Sequence, residues 1–151
     1  IPQIYYGTEV LLDNTGHHKN DGLIRADFPG GWKEDVTNGF TNKGLSADQT
    51  IMMKYLKQLL IWRKNNPVIA DGKTLHFAPF DGVYVYFRYN DDKTIMIIVN
   101  KNEKETVINT RRFAEILGNK YKAENIMSGE VDSDLSSIKV KGKTVSVLNV
   151  N

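Results

Sequence analysis

The hydrophobic period of this 151-residue chain changes once, between residues 67 and 73, and that change limits what each side can become. Upstream, Met52, Tyr55, Leu56, Leu59 and Leu60 recur at i, i+3, i+4, i+7 and i+8, the stripe of an amphipathic helix. Ser46 and Gln49 supply a capping box at its start. Asn65-Asn66-Pro67 ends it, because the residue before a proline is pushed out of the helical region. Ile51, Met53 and Trp62 widen the apolar surface, so this helix needs neighbours on more than one side. Downstream the period is 2. Segments 74–78, 83–89, 94–100, 105–109 and 121–126 read as strands, with Val83, Val85, Phe87 and Tyr89 on one face and Tyr84, Tyr86 and Arg88 on the other. Asp81-Gly82 and Asn90-Asp91-Asp92 are turn chemistry. Residues 111–117 suit one helical turn closed by Gly118. Residues 138–140 are expected to pair with 145–147 across Lys141-Gly142-Lys143-Thr144. Short strands at this spacing predict an antiparallel sandwich or barrel.

The opening run Ile1-Pro2-Gln3-Ile4-Tyr5-Tyr6-Gly7 suits a short buried strand, with Pro2 at its start, where a missing N–H is tolerated. Tyr5 and Tyr6 would then face opposite sides. Between residues 8 and 45 the periodic signal disappears. Loops of that length are uncommon in compact domains and are usually functional or disordered. Phe28, Trp32, Phe40, Leu23 and Ile24 give this one too many anchors for a flexible linker, so it reads as an ordered functional loop. Strand, long loop and helix make one β/α unit, and such a unit cannot bury its own edge and apolar face. The expected fold class is therefore α+β: a β/α unit over 1–67, then an antiparallel β-sandwich over 73–151. The chain opens without an initiator Met or a leader and in the middle of a strand pattern, which reads as a piece of a longer protein.

Composition excludes several function classes. Without cysteine there are no disulfides or thiolate metal sites, although this leaves the compartment open. The net charge of +2 is scattered and forms no basic stripe for nucleic acid. No run approaches the roughly 20 apolar residues of a membrane span. His17 and His18 are adjacent and lack a third ligand at metal spacing, and His76 alternates with apolar residues in a strand. No metal or cofactor is expected.

The words Ile1-Pro2-Gln3-Ile4-Tyr5-Tyr6-Gly7-Thr8-Glu9, Asp21-Gly22-Leu23-Ile24-Arg25 and Arg25-Ala26-Asp27-Phe28-Pro29-Gly30-Gly31-Trp32 resemble the eighth β/α unit of the α-amylase family of glycoside hydrolases. Within the family they look like the neopullulanase and cyclomaltodextrinase branch, in particular the periplasmic starch-utilisation enzymes of the Bacteroides group. Residues 73–151 match the family's C-terminal β-sandwich in position, size and strand content only. The resemblance implies that 1–67 are the last strand, active-site loop and helix of a (β/α)8 barrel, whose site is built from βα loops. It also implies a parent that cleaves α-glucosidic bonds of maltooligosaccharides, pullulan or cyclodextrins with retention, using an Asp, a Glu and a second Asp. Those residues sit on earlier strands in the family, and nothing here matches their motifs. No catalytic residue is therefore expected in this chain, and the isolated chain should be inactive.

In the family branch an Asp and an Arg four residues apart contact glucose hydroxyls, which makes Asp21 and Arg25 the substrate-binding candidates. A salt bridge that holds the loop competes with that role. Trp32 and Phe28 either stack on a pyranose or anchor the loop. Glu9 and Asp27 read better as loop-shaping acids than as general acids. A periplasmic location is implied, with the cytoplasm left open. The competing function is a non-catalytic stabilising or carbohydrate-binding sandwich, which lacks a row of exposed aromatics. Exposed apolar faces in an isolated chain are expected to fold onto the sandwich or to drive self-association.

Overall fold

In the computed structural model, which describes residues 3–13 and 19–151, the period-2 segments pair into two antiparallel sheets. Strands β1 (Lys73–Phe80), β2 (Val83–Tyr89), β3 (Thr94–Asn100), β5 (Ala123–Asn125), β6 (Val131–Asp132) and β8 (Thr144–Val150) form one sheet in the order β1-β2-β3-β8-β5-β6. Strands β4 (Thr106–Asn109) and β7 (Ser137–Val140) form the other. Alternation places Val83, Val85, Phe87, Met96, Ile98, Leu148 and Val150 between the sheets, against Ile108, Ile138 and Val140. Phe113 and Leu117 close this core from the 3-10 turn Thr110–Phe113 and the helical turn Ala114–Leu117. Phe77, Phe87 and Phe113 meet edge to face with ring centroids 4.8–5.9 Å apart. β3 is buried at every position but one, because Ile95 and Ile97 on its other face pack with Val68, Val147 and Trp62. Asp81 (φ 49°) and Gly82 (φ 73°) both take positive φ, as a two-residue hairpin between β1 and β2 requires.

A buried polar hub holds one end of the sandwich. Asn100, 1% exposed, donates through Nδ2 to the carbonyls of Val140 (3.0 Å) and Lys141 (3.2 Å) and accepts from the Asn102 N–H at 3.0 Å. It thereby ties β3 in the large sheet to the end of β7 in the small one.

Two expectations need correction. β7 and β8 do not pair with each other. β8 runs beside β3 in full register, from Thr94 opposite Val150 to Asn100 opposite Thr144, while β7 pairs with β4. β7 has one wet face (Ser137, Lys139) and one buried face (Ile138, Val140), whereas β8 offers apolar side chains on both faces and takes an interior place in the sheet. The turn reverses the chain but joins strands of different sheets. Secondly, residues 3–7 form no ladder. Gln3–Tyr5 has no regular structure and a turn follows at Tyr6-Gly7, because a strand needs a neighbour and the described residues of this part offer none. Tyr5 and Tyr6 consequently do not alternate; their rings touch, with centroids 4.6 Å apart. Ile1 and Pro2 lie outside the described residues.

The chain divides into two compact units, Ile1–Leu60 and Ile61–Asn151. The first contains a 3-10 turn (Thr8–Val10), the single turn α1 (Asp21–Ile24) and most of helix α2 (Ala47–Lys64). The capping box forms reciprocally: Ser46 N–H donates to Gln49 Oε1 (2.9 Å), and Gln49 N–H to Ser46 Oγ (3.2 Å). No residue of α2 is buried, and Ile51 is 64% exposed. After α2, Asn66 donates to the Trp62 carbonyl (2.8 Å) and accepts from Lys93 Nζ (2.8 Å), before the short helix α3 (Val68–Asp71) leads into β1.

Candidate sugar-binding loop

The loop before α2 is built from local side-chain to backbone hydrogen bonds. Asp35 Oδ2 accepts from the N–H groups of Gly30 (2.7 Å) and Trp32 (3.1 Å). Those donors, Trp32 first, hold its carboxyl below the usual carboxylate range. Asn38 Oδ1 accepts from the N–H groups of Phe40 and Thr41, both at 2.9 Å, and its own N–H reaches the Lys43 carbonyl at 2.8 Å. Gly30 sits at φ 101° directly over the Asn38 side chain, where a Cβ would come within 2.5 Å of it. Gln49 Nε2 donates to the carbonyl of the fully buried Val10 (2.8 Å), and the Tyr6 hydroxyl to that of Ala26 (3.0 Å).

This frame separates the two aromatic candidates. Phe28 is half-buried, with its ring 5.0 Å from that of Phe40 and seated where Gly39 has no Cβ. Trp32 is 64% exposed and is held by its indole N–H, which donates to Asp27 Oδ2 at 2.8 Å. α1 brings Asp21 and Arg25 together at i and i+4, with Nη2–Oδ2 at 3.4 Å and side chains 78% and 64% exposed. An ion pair so exposed contributes about 0–1 kcal/mol, so both groups remain open to a ligand. Glu9 is half-buried in the 3-10 turn. His17 and His18 lie outside the described residues. His76 is exposed on β1, with its ring edge-on to Tyr84. Among the described residues no group of three or more His, Asp or Glu is placed to hold a metal ion, and no helix is long and apolar enough to cross a membrane.

Asp35 and Asn38 shape the loop and were not singled out from sequence. Their signal was available as short polar residues that bond to backbone two or three positions away. A groove of about 420 Å³ opens in the second unit beside Phe77, Phe80, Val107 and Arg112. Arg112 closes one wall, donating to the Ala78 carbonyl (3.1 Å) with its guanidinium over the Phe80 and Phe113 rings. None of the residues named from sequence as site candidates lines it.

Residues 74–149 match the family model of the cyclomaltodextrinase C-terminal domain. The chain belongs to that family. The match agrees with the α-amylase-family resemblance read from residues 1–32 and identifies the sandwich as the C-terminal domain of such enzymes. A cyclomaltodextrin glucanotransferase of Bacillus sp. (strain 6.6.3) is 29% identical, across 88% of this chain and 17% of that protein. The maltogenic α-amylase of Bacillus acidopullulyticus is 29% identical, across 68% of this chain and 15% of that protein. The chain thus spans about a sixth of the length of these curated relatives. Among solved structures, the α-amylase of Geobacillus thermoleovorans complexed with acarbose aligns with TM-score 0.65 at 18% identity, covering 97% of this chain and 29% of that one. AmyP in complex with maltose aligns with TM-score 0.65 at 15% identity, covering 85% and 24%. At these identities the likeness concerns the fold.

Proposed function

We propose that this chain is the C-terminal part of an α-glucan hydrolase of neopullulanase or cyclomaltodextrinase type, acting in the periplasm. Residues 1–67 would be the last strand, active-site loop and helix of its (β/α)8 barrel, and 73–151 its C-terminal sandwich. The observation that carries this reading is the family match at 74–149, directly behind an ordered loop and a helix none of whose apolar residues is fully buried. The missing barrel strands would cover those residues in the whole protein. In the isolated chain they would drive self-association, since each large apolar side chain left in water forgoes about 1.5–3 kcal/mol.

The loop's part in the chemistry is binding. Retaining cleavage needs two carboxyls roughly 5 Å apart, one of them held protonated. Three acids of this loop already have other partners: Asp21 faces Arg25, Asp27 holds the Trp32 indole, and Asp35 holds two backbone N–H groups. By the family resemblance, the nucleophile and the acid/base would come from upstream strands. Asp21 accepts from vicinal sugar hydroxyls and Arg25 donates in a fixed fork, so the pair grips one edge of a glucose unit.

The purified 151-residue chain should not hydrolyse pullulan, cyclodextrin or starch, while the protein from the complete reading frame should. In that protein Asp21→Ala or Arg25→Ala should lower kcat/KM by about 1–3 kcal/mol of transition-state stabilisation. Turnover by the short chain, surviving repurification, would overturn the assignment. Unchanged kinetics with a lowered melting temperature would reduce the pair to a structural bridge.

A further inference from the structure

We infer that Trp32 is a platform for the pyranose ring of the α-glucan and that Asp27 is the positioning residue that sets the plane of its indole. The inference rests on the α-glucan reading above and assigns a specificity-determining contact within it.

An aromatic that anchors a loop turns its ring inward, as Phe28 does against Phe40 and Gly39. Trp32 does not. It is 64% exposed, yet it is fixed at two points: its backbone N–H on Asp35 and its ring N–H on Asp27. The first holds the backbone and the second the edge of the ring, and neither takes up a π-face of the indole. An indole fixed in this way loses little further freedom when a ligand settles on it, which lowers the entropy cost of binding.

The chemistry around the ring selects the ligand. A pyranose presents an apolar C–H face flanked by hydroxyls. Trp32 offers the matching apolar surface, and Asp27 beside it offers a carboxylate with about four acceptor sites, of which the indole uses one. A protein surface sealing over Trp32 would instead have to desolvate the exposed Asp27 carboxylate, which is unfavourable without a cationic partner. A polyhydroxylated, hydrated ligand avoids that cost and gains a charge-assisted hydrogen bond.

The test uses the protein from the complete reading frame, with maltoheptaose as substrate and the melting temperature measured for every variant. Trp32→Ala should raise KM about fivefold to tenfold with kcat nearly unchanged, the pattern of lost binding without lost chemistry. Trp32→Phe, which keeps a ring, should recover most of that loss and guards against a folding defect in the alanine variant. Asp27→Asn keeps an oxygen that accepts the indole N–H and loses only the charge assistance to the sugar, so it should raise KM less than Asp27→Ala, which loses both and should raise it about fivefold. Unchanged KM in Trp32→Ala, or a fall in melting temperature as its sole effect, would overturn the platform. Equal losses in Asp27→Asn and Asp27→Ala would overturn the positioning role. A parent protein inert on every α-glucan would bring down the α-glucan reading itself, an outcome separate from an active parent indifferent to Trp32.

Discussion

The two units of this chain hold their shape by different means. In the sandwich, alternating Val, Ile, Phe and Met side chains fill the space between two sheets, and Phe87, Met96 and Ile98 are fully buried. In the first unit Val10 is the one buried large apolar side chain among the described residues, while Ile4, Tyr5, Trp32, Val36, Phe40 and Ile51 are exposed. That unit is organised by Asp35, Asn38, Ser46 and Gln49, which bond to backbone a few residues away. Each such bond has a net worth of about 0.5–1.5 kcal/mol, enough to select a conformation and too little to hold a domain together. Local hydrogen bonds give the loop its shape and burial gives the sandwich its stability. A loop of this kind depends on a scaffold for its stability.

The largest effect that would sharpen this contrast lies in the core. Phe87→Ala in the 151-residue chain should cost about 3–5 kcal/mol in denaturant unfolding. Ile51→Ala, on α2, should change stability by no more than about 0.5 kcal/mol at concentrations low enough to keep the chain monomeric. If Ile51→Ala instead approached the core value and depended on protein concentration, light scattering should show that copies of the chain cover that helix for one another.

A smaller effect compares two asparagines. Asn100→Ala would leave the carbonyls of Val140 and Lys141 and the N–H of Asn102 without their buried partner, at a cost of about 2–3 kcal/mol. Asn38→Ala also removes two hydrogen bonds to its side chain, but water can reach the freed Phe40 and Thr41 N–H groups, so less than about 1 kcal/mol should be lost. Thermal melts of both variants test the pair, and equal losses would mean that the loop is buried in solution.

The same contrast explains what was legible in the sequence. β2 was readable to the residue because its alternation, Val83-Val85-Phe87, is set by the core it faces, and β3 because its short continuous apolar run is that of a strand buried on both faces. The capping box at Ser46 and Gln49 was readable because it is local. The partners of β7 and β8 were not, since the Lys141–Thr144 turn reports a reversal and says nothing of which sheet each strand joins. Residues 3–7 carry strand-prone side chains, and propensity cannot supply the neighbour a ladder requires. In the loop, the family words single out Asp21 and Arg25, and the structure joins them in the salt bridge that competes with the binding role. Asp35 and Asn38 carry no periodic signal, and their importance appears only when the backbone donors that surround them are seen.

The smallest effect is a pH dependence confined to the loop. Asp35 is held below the ordinary Asp value, about 3.9 in model peptides, by the N–H groups of Trp32 and Gly30. A depressed carboxyl pKa contributes order to the folded loop above that unfolded value and loses it as pH falls through the lower folded one. The loop should therefore be insensitive to pH from neutrality down to about 4 and loosen below it. The chain has two tryptophans, so Trp62→Phe leaves Trp32 as the sole indole reporter. Its emission should shift in the acid range while far-ultraviolet circular dichroism of the sandwich stays constant. Asp35→Asn keeps an acceptor for both N–H groups and removes the titration, so it should flatten the acid step. Asp27, which touches the same indole, is present in both chains, and the difference between their curves isolates Asp35. An acid step of equal size in Asp35→Asn would assign the titration to another group, leaving the loop frame without the charge dependence derived for it.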